Sequence, residues 1–459
     1  MMAAMHSTHA DRGPASGKTL VVGLGKTGLS CARHLRRQGR AVAVMDSRET
    51  PPGLMQARDE LPDVALLLGG FDAAAMEAAD EIVVSPGVAL AEPAIRRAAA
   101  AGIPVVGDVE LFARAAQAPV IAITGSNGKS TVTTLVGLIA RHAGRRAAVG
   151  GNLGDPVLDL LDEDVELYVL ELSSFQLETT SSLRARVATV LNLSADHLDR
   201  YPDLASYAAA KARIFAHADI AVVNRDDAAA AALAAGMPVQ IGFTLAKPAG
   251  DDYGILEQDG VRWIARGKQP LLPVTDVRLP GTHNLANCLA ALALAEAAGL
   301  PLASAREVFA SFGGLPHRSE LVHEHAGVRW INDSKGTNPG ATVAALTGLV
   351  PDPAAGKAVL IAGGDGKGAD FGMLADVVRE RVRALVLIGR DAPRLEQVLA
   401  GLAPIEHAGD MEEAVRAAAG LAWRGDCVVL SPACASFDMF DNYEHRGRVF
   451  TEAVARWSR

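Results

Sequence analysis

The chain has 459 residues, and at about 150 residues per domain this length predicts three domains. Acidic residues outnumber basic ones by 53 to 44, and the net charge of -9 disfavours a protein that wraps nucleic acid or lies on an anionic membrane. The 4 cysteines are too few and too scattered for a disulfide framework. Because the sequence shows neither a long apolar run nor an apolar signal region, we predict a cytoplasmic protein with a disordered tail at 1–17 and no membrane span.

Short apolar runs alternate with helical patterns in the N-terminal part of the chain. This alternation is typical of βαβ units around a parallel sheet, so the fold class is predicted to be α/β. Gly107 is the predicted end of this unit. The predicted strands are 19–22, 41–45, 81–84 and 105–106, and an amphipathic helix is predicted at 28–38.

Three glycines follow the first predicted strand with the spacing G-x-G-x-x-G. They are Gly23, Gly25 and Gly28, and Asp46 ends the next strand. This pattern is a fingerprint of dinucleotide binding, in which the acid accepts from a ribose hydroxyl. The same geometry binds any nucleotide diphosphate, so the pattern leaves the nucleotide open.

A second α/β unit begins at Pro119, where a short apolar strand at 120–123 meets the sequence GSNGKST over 125–131. Glycines at a strand-to-helix turn let several backbone N–H groups converge on one anion, and the helix N-terminus adds partial positive charge. Lys129 can reach phosphate oxygens and the Ser130 hydroxyl can join a Mg²⁺ shell. Ile123 stands where the standard motif has its first glycine, so this phosphate loop is shorter than the standard one.

Glu171 follows a predicted strand at 167–170 and is the candidate metal ligand of this unit. From the residues alone, a solvated acid at the start of a helix is an equally good interpretation. Beyond it, strands are predicted at 188–191 and 220–223, and turn formers over 236–281 predict short β elements. A third α/β unit follows the hinge at 313–316, with predicted strands at 328–331, 358–361, 384–388 and 427–430.

Several sequence blocks resemble those of the Mur ligases, the ATP-dependent amide-forming enzymes of bacterial cell-wall precursor synthesis. The resemblance runs from about residue 18 to the end and is closest to the member that adds D-glutamate, on SPACAS at 431–436 followed by Arg446 and Gly447. The blocks are 119–134, 150–154, 171–178, 192–201, 283–287, 314–318, 330–338, 363–367 and 431–440.

The resemblance implies three domains and one reaction. A Rossmann-like parallel sheet at 18–107 would bind the UDP substrate, a phosphate-loop domain at 108–314 would bind ATP, and a Rossmann-like domain at 315–459 would bind the amino acid. It implies a monomer that ligates D-glutamate to UDP-N-acetylmuramoyl-L-alanine through an acyl phosphate and releases ADP and phosphate. Its partners would be these small molecules and no nucleic acid.

The resemblance also assigns the ATP and metal sites. Ser130 and Glu171 would hold one Mg²⁺, and His197 with a carbamylated Lys211 would hold a second. From its helix context alone, Lys211 would be a solvated lysine, and His197 a hydrogen-bonded loop histidine. Asn287, Arg318 and Asp333 would hold adenine and ribose. The phosphates would be held by Gly125, Asn127, Gly128, Lys129, Ser130 and Thr131.

The two remaining substrate sites are also assigned by resemblance. Three positions depart from the family pattern. Lys26 stands where we expect an apolar residue, Gly336 where we expect Ala, and Phe437 where we expect Leu. A Lys26 that points inward would contact a phosphate, and one that points outward would be a surface charge. Lys335, Thr337, Lys367 and Ser436 would receive D-glutamate or support the reacting groups, with Phe437 and Tyr443 acting through main chain or packing. The implied catalytic residues are Lys129, Glu171, His197, Lys211 and Lys335. The UDP site would comprise Lys26, Thr27, Asp46, Ser47, Ser85, Gly87 and Asn152.

Three alternatives remain open from the sequence. The first is a related ligase with another amino acid or acceptor, such as a folylpolyglutamate synthase-like enzyme. The second is an NAD(P)-linked oxidoreductase, suggested by the N-terminal glycines, although Lys129 and its loop have no role in hydride transfer. The third is a nucleotide-dependent switch that hydrolyses ATP without forming an amide.

Overall fold

A computed structural model of the chain describes residues 17–197, 199–279 and 281–458. Residues 1–16 of the predicted tail at 1–17 therefore lie outside the described residues. Within the described part of the chain, no helix is long and apolar enough to cross a membrane. The chain divides into one compact unit made of 17–117, 150–163 and 175–183, and a second made of 118–149, 164–174 and 184–458.

The first unit is built on a parallel sheet with the strand order β3-β2-β1-β4-β5. The central strand β1 pairs in parallel with β2 and β4, so the carboxyl ends of all three meet at one edge. Leu20, Val22, Ile82 and Val84 from these strands form the core beneath the helices. The elements are β1 (Lys18–Val22), α1 (Lys26–Arg37), β2 (Ala41–Asp46), α2 (Leu54–Glu60), β3 (Ala65–Leu68), α3 (Ala73–Glu77), β4 (Glu81–Val84), α4 (Pro93–Ala100), β5 (Val105–Val106) and α5 (Asp108–Ala115).

The central sheet has the strand order β14-β13-β12-β11-β10-β9-β6-β8-β7. β6 lies between β8 and β9 and pairs in parallel with both, whereas β12, β13 and β14 form an antiparallel meander. The elements are β6 (Val120–Thr124), α6 (Lys129–His142), β7 (Ala147–Gly151), β8 (Leu167–Glu171), α7 (Ser174–Glu178), β9 (Val187–Val190), α8 (Leu204–Ala212), β10 (Ile220–Asn224), α9 (Ala228–Leu233), β11 (Gln240–Phe243), β12 (Tyr253–Gln258), β13 (Val261–Arg266), β14 (Gln269–Pro273), α10 (Thr282–Ala297) and α11 (Leu302–Ser311).

The C-terminal sheet has the strand order β15-β16-β20-β17-β18-β19. Its central strands run parallel and are buried on both faces, and β15 pairs antiparallel with β16 at one edge. The elements are β15 (Glu320–His325), β16 (Val328–Asn332), α12 (Pro339–Leu349), β17 (Ala358–Gly363), α13 (Ala375–Arg381), β18 (Val382–Ile388), α14 (Ala392–Leu399), β19 (Ile405–His407), α15 (Met411–Leu421), β20 (Cys427–Leu430) and α16 (Tyr443–Trp457).

The structure confirms the α/β class and corrects several element bounds. The helix predicted at 28–38 begins earlier, at Lys26, because the last two residues of the glycine motif lie at and within its first turn. The strand predicted at 188–191 is Val187–Val190. Four strands were missed, β3, β7, β15 and β19, and each lies at the edge of its sheet. β7, β15 and β19 are polar or rich in Ala and Gly and so lack the apolar signal of a central strand, whereas β3 is apolar in sequence but half-exposed.

Candidate active site

The phosphate loop joins β6 to α6 in a backbone conformation that depends on glycine. Gly128 has φ of +82°, a left-handed conformation that favours glycine, and a Cβ there would lie 2.5 Å from Asn287 Oδ1. The Asn192 side chain braces the loop from the other side. Its Oδ1 accepts from Asn127 N at 2.7 Å and its Nδ2 donates to Asn127 O at 3.0 Å. The loop is thereby held at the N-terminus of α6, where backbone N–H groups attract anions.

Lys129, the first residue of α6, lies over this loop. Its Nζ donates to Gly125 O at 2.8 Å and to Ser126 O at 3.0 Å. Burial lowers the pKa of Lys129, although the nearby carboxylates of Glu171 and Asp196 favour its charged form. A half-buried cation without a direct carboxylate contact in the described structure is suited to bind a phosphate that brings its own negative charge.

Ser130, Arg318 and Asp333 connect the phosphate loop to the C-terminal sheet. Arg318 Nη2 donates to Ser130 Oγ at 2.6 Å. Asp333 accepts from Ser431 Oγ at 2.7 Å and from Ser319 N at 3.0 Å, and burial raises its pKa to about 6. All these residues belong to the second unit, so the predicted nucleotide residues of two sheets converge within it.

A cavity of about 340 Å³ lies beside this convergence. Predicted residues that line it are Asn127, Gly128, Thr131, Asn287, Arg318, Asp333 and Lys335. The sequence analysis assigned no role to the residues on the other side of the cavity, although His283 and Asn284 lie in a block that resembles the family. The additional lining residues include Leu191, Asn224, Asp227, Phe243, His283 and Asn284.

Glu171 and His197 approach the phosphate loop from the two strands, β8 and β9, that flank β6. Glu171 is the last residue of β8, is buried, and pairs in register with Ile123 of β6. The loop after β9 carries Asp196 and His197, with His197 Nε2 3.8 Å from Asp196 Oδ2. Burial lowers the pKa of His197 and Asp196 opposes that shift, so the neutral imidazole is favoured.

Lys211 is almost completely buried, with 1% of its surface exposed. Its Nζ donates to Gly125 O at 2.9 Å and to Thr124 Oγ1 at 3.3 Å, and lies 4.5 Å from the centre of the Tyr207 ring. Burial, with a further contribution from the charge of Lys129, lowers its pKa well below the ordinary lysine value. The structure therefore excludes the interpretation of Lys211 as a solvated helix lysine.

The residues predicted for D-glutamate lie on loops at the ends of β16, β17 and β20. Lys335 Nζ is 3.8 Å from the centre of the Tyr443 ring, and burial lowers its pKa to about 8. Thr337 and Lys367 are half-buried, and Lys367 has a left-handed φ of +49°. Ser436 is buried, whereas Phe437 next to it is 70% exposed.

A polar side chain that the sequence did not single out links these loops to the phosphate loop. Asn338 Nδ2 donates to Asp196 Oδ2 at 3.0 Å and to Asn127 Oδ1 at 3.3 Å. Its Oδ1 accepts from Ala341 N at 2.8 Å and so caps α12. In the sequence, asparagine before proline indicates only the start of a helix. Nothing in the sequence indicates the contacts of this side chain with Asp196 and Asn127.

In the first unit, all seven residues predicted for the UDP site line a second cavity, of about 500 Å³. Lys26 is exposed at its rim. Asp46 already has strong partners there, because Arg48 Nη2 donates to it at 2.7 Å and Leu24 N at 2.7 Å. Although burial alone would raise the pKa of Asp46, these hydrogen bonds lower it to about 2. Arg48 also lines the cavity and was missed, since its charge is exposed in an ordinary loop context.

Comparison with known proteins identifies the family. The model for the Mur ligase MurD-like N-terminal domain matches residues 17–107. The Mur ligase middle domain matches 123–295, and the Mur ligase glutamate ligase domain matches 317–434. The chain belongs to the Mur ligase family. Its resemblance to that family is thus confirmed over most of its length, and an oxidoreductase is disfavoured.

Relatives of this Mur ligase match it almost from end to end. The UDP-N-acetylmuramoylalanine--D-glutamate ligase of Nitrosococcus oceani is 56% identical, over 95% of this chain and 96% of its own. The protein of the same name from Methylococcus capsulatus is 51% identical, over 98% of this chain and 99% of its own.

Solved structures show the same fold at much lower identity. The UDP-N-acetylmuramate-alanine ligase of Thermotoga maritima has a TM-score of 0.60 at 19% identity, covering 96% of this chain and 100% of its own. E. coli FolC in complex with DHPP and ADP has a TM-score of 0.59 at 19% identity, covering 77% of this chain and 94% of its own. Because such ligases share one fold, the fold alone does not select the acceptor.

Proposed function

We propose that this Mur ligase joins D-glutamate to UDP-N-acetylmuramoyl-L-alanine, with conversion of ATP to ADP and phosphate, in peptidoglycan precursor synthesis. The observation that carries the proposal is the near-complete coverage of relatives named UDP-N-acetylmuramoylalanine--D-glutamate ligase at 51 to 56% identity. Arg318 and Lys335 line one cavity, and Lys129 lies close enough to both to affect the pKa of Lys335 together with Arg318. This group of cations supports the proposal, because joining an acid to ATP brings two anions together.

The chemistry has two steps. A carboxylate is a poor acyl electrophile because it is negatively charged and has a poor leaving group. In the first step a substrate carboxylate oxygen bonds to the γ-phosphorus of ATP, the bond from phosphorus to the β–γ bridging oxygen breaks, and ADP leaves. In the second step the amino-acid nitrogen bonds to the acyl carbon, the bond from that carbon to the phosphate oxygen breaks, and phosphate leaves with the oxygen that came from the carboxylate. The ammonium nitrogen releases two protons to water and keeps one as the amide N–H.

The residues around the cavity have separate roles in this scheme. Lys129 neutralises the β- and γ-phosphates from the loop, and Arg318 approaches them from the other sheet through the Ser130 hydroxyl. Gly125, Asn127, Gly128 and Thr131 form the loop and the first turn, while Asn287 and Asp333 orient the adenosine. Lys335 and Lys367 balance the carboxylates of the incoming amino acid, with Thr337 and Ser436 as hydrogen-bonding partners.

The donor set fits one Mg²⁺ at Ser130 and Glu171, because hydroxyl and carboxylate oxygens are the ligands that this ion prefers. Among the described residues, no group of three His, Cys, Asp or Glu side chains converges to hold a metal, so remaining ligands would be phosphate oxygens and water. Bound Mg²⁺ would offset the negative charge of the phosphate oxygens. A second ion at His197 requires a change at Lys211, whose ammonium form has no lone pair.

Carbamylation would supply that change at Lys211. Its amine is buried beside the loop rather than solvated, and its lowered pKa favours the neutral amine that reacts with carbon dioxide. The resulting carbamate carries a negative charge and two oxygen donors. It would convert a buried cation next to Lys129 into an oxygen ligand.

A reconstituted assay tests the proposed function. The purified chain is supplied with ATP, Mg²⁺, UDP-N-acetylmuramoyl-L-alanine and one amino acid at a time, and products are identified by mass. We expect phosphate release and a new amide with D-glutamate, and neither with L-glutamate or L-lysine. Ligation of L-glutamate to a folate acceptor would instead support the folylpolyglutamate synthase-like alternative. ATP hydrolysis without any amide would support a nucleotide switch.

A further inference from the structure

Arg446 is a fully buried arginine that the proposed chemistry does not use. It lies in the first turns of α16, and 1% of its surface is exposed. Its Nε donates to Ser334 Oγ at 3.0 Å and its Nη2 to Ser334 O at 2.8 Å. Its Nη1 donates to Cys434 O at 3.1 Å and to Ala435 O at 3.3 Å. The guanidinium thus fills the space between two loops and binds both.

These contacts reach a third loop through the backbone. Ala435 and Asp365 exchange two N–H···O bonds, at 2.8 and 3.0 Å, in an isolated antiparallel bridge. The Ala435 carbonyl therefore accepts from Asp365 N and from Arg446 together. Ser334 also donates through Oγ to Tyr443 O at 2.8 Å, which ties the start of α16 into the same network. One side chain consequently holds the loops that follow β16, β17 and β20.

Each of these loops carries a residue assigned to the amino acid. Lys335 follows Ser334, Ser436 follows Ala435, and Lys367 lies two residues after Asp365. A displacement of one loop relative to another would change the spacing of two cations and a hydroxyl. That spacing must match the spacing of the two carboxylates and the amine of a dicarboxylic amino acid.

The buried arginine is suited to this task by its shape. Within the described structure, its side-chain acceptors are one hydroxyl and three carbonyl oxygens, so no carboxylate there pairs with it directly. A planar fork with five N–H donors can reach both loops at once, whereas the compact ammonium of lysine cannot. Its desolvation is costly, and that cost is offset only while all these acceptors stay in place.

We propose that Arg446 is a positioning residue that fixes the relative placement of the three loops carrying Lys335, Lys367 and Ser436, and thereby sets the affinity for the amino-acid substrate. The proposal rests on the proposed function for the assignment of those loops to D-glutamate. It adds a residue that touches neither substrate nor ATP and that acts through the backbone of the residues that do.

The variant Arg446→Lys tests this role, because it keeps the charge and removes the fork. We expect the KM for D-glutamate to rise at least tenfold while the KM for ATP changes less than twofold. Ser334→Ala, which removes one acceptor and leaves the arginine, should raise the KM for D-glutamate in the same direction by a smaller factor. This milder variant keeps the test available if the lysine variant folds poorly.

Arg383→Lys is the matched control in the same domain. Arg383 is also bidentate, to the buried Asp426, and it lies over the Trp423 ring. These side-chain contacts, as the described part of the chain shows them, lie outside the three loops. Its replacement should lower the melting temperature without raising the KM for D-glutamate. Equal increases of that KM in both variants would mean that Arg446 only stabilises the domain.

Hydrogen exchange provides a readout that does not need activity. In Arg446→Lys the amides of Asp365 and Ala435 should exchange at least tenfold faster than in the wild type, and in Arg383→Lys they should not. If the wild type ligates another amino acid instead of D-glutamate, the proposed function is wrong. The KM values of the wild type, Arg446→Lys and Arg383→Lys are then compared with that amino acid. Unchanged KM and unchanged exchange in Arg446→Lys would overturn the positioning role in either case.

Discussion

Asn338 allows the link between the amino-acid loops and the phosphate loop to be separated from helix capping. Its Oδ1 caps α12, while its Nδ2 donates to Asp196 and to Asn127 of the phosphate loop. Serine at this position would still cap the helix, but its side chain is one atom shorter and lacks the amide donors. Asn338→Ser should therefore remove the link and keep the cap.

The size of the effect follows from the two bonds lost. A neutral hydrogen bond contributes about 1 kcal/mol and one to a carboxylate about 1.5–3 kcal/mol. Both hydrogen bonds are only partly buried, so we take their combined contribution as about 2 kcal/mol. A loss of this size corresponds to a roughly 30-fold decrease in kcat/KM. The unfolding free energy should fall by no more than this same amount of about 2 kcal/mol, and capping should add nothing to the loss, since the capping residues Ser and Asn differ little.

Steady-state phosphate release and thermal unfolding measure the two quantities on the same preparations. Asn338→Ala is the control for capping, because it should lose the same activity and in addition about 1 kcal/mol of stability. Asn338→Asp should cap well but place a second carboxylate against Asp196, so its activity should fall at least as far as that of the serine variant. Wild-type kcat/KM in Asn338→Ser would refute the link.

Three further predictions concern the lysines of the site. Lys129→Ala should abolish ligation while calorimetry still detects UDP-substrate binding; loss of binding as well would indicate general misfolding. Lys211→Ala should lose activity that formate or acetate partly restores, and intact-protein mass should reveal carbon dioxide on wild-type Lys211; absence of both would exclude the carbamate. Because burial lowers the pKa of Lys335 to about 8, this lysine loses its charge as the pH rises through 8, so the KM for D-glutamate should increase there. Lys335→Arg stays charged and should show no such increase, and an identical pH profile would assign the transition to another group.

The sequence predicts the central strands that carry the phosphate loop, Glu171 and Ser436, and misses four edge strands. β6, β8 and β20 are buried on both faces, so their apolar runs are unmistakable, and the chemistry-bearing loops follow directly from them. β15 and β19 are edge strands with charged and histidine side chains, and β3 is a half-exposed edge strand of four residues. A strand that exposes one face or one edge to solvent can carry polar residues there, which weakens the apolar pattern on which strand prediction depends.

The site residues differ in how far their role depends on neighbours in the sequence. Lys129 and Ser130 belong to a local motif whose geometry is set by a few neighbouring residues, so their sequence context is informative. Lys211 could be interpreted only through resemblance, because its burial depends on packing against Thr124 and Gly125, about 86 positions earlier in the chain. Arg446 is similar, since its partners at 334 and 434–435 come from other strands. Its spacing from them in the sequence says nothing about the loops that it joins.

The chain as a whole is acidic, yet three lysines and Arg318 lie close enough beside the cavity and the phosphate loop to influence one another's charge. Glu171 favours the charged forms of Lys129, Lys211 and Lys335, while the cations oppose one another and burial opposes them all. Asp196 adds to the effect of Glu171 at Lys129 and Lys211, and Glu444 adds to it at Lys335, yet the pKa of each lysine stays lowered. The charged lysines are therefore electrostatically unfavourable in the unliganded site, and phosphates would relieve them. The overall charge of -9 keeps unrelated polyanions away, whereas a buried cluster of this kind favours a small, compact anion that fits the cavity. We therefore infer that the same unbalanced charge that weakens the empty site is what draws ATP and a carboxylate into one place.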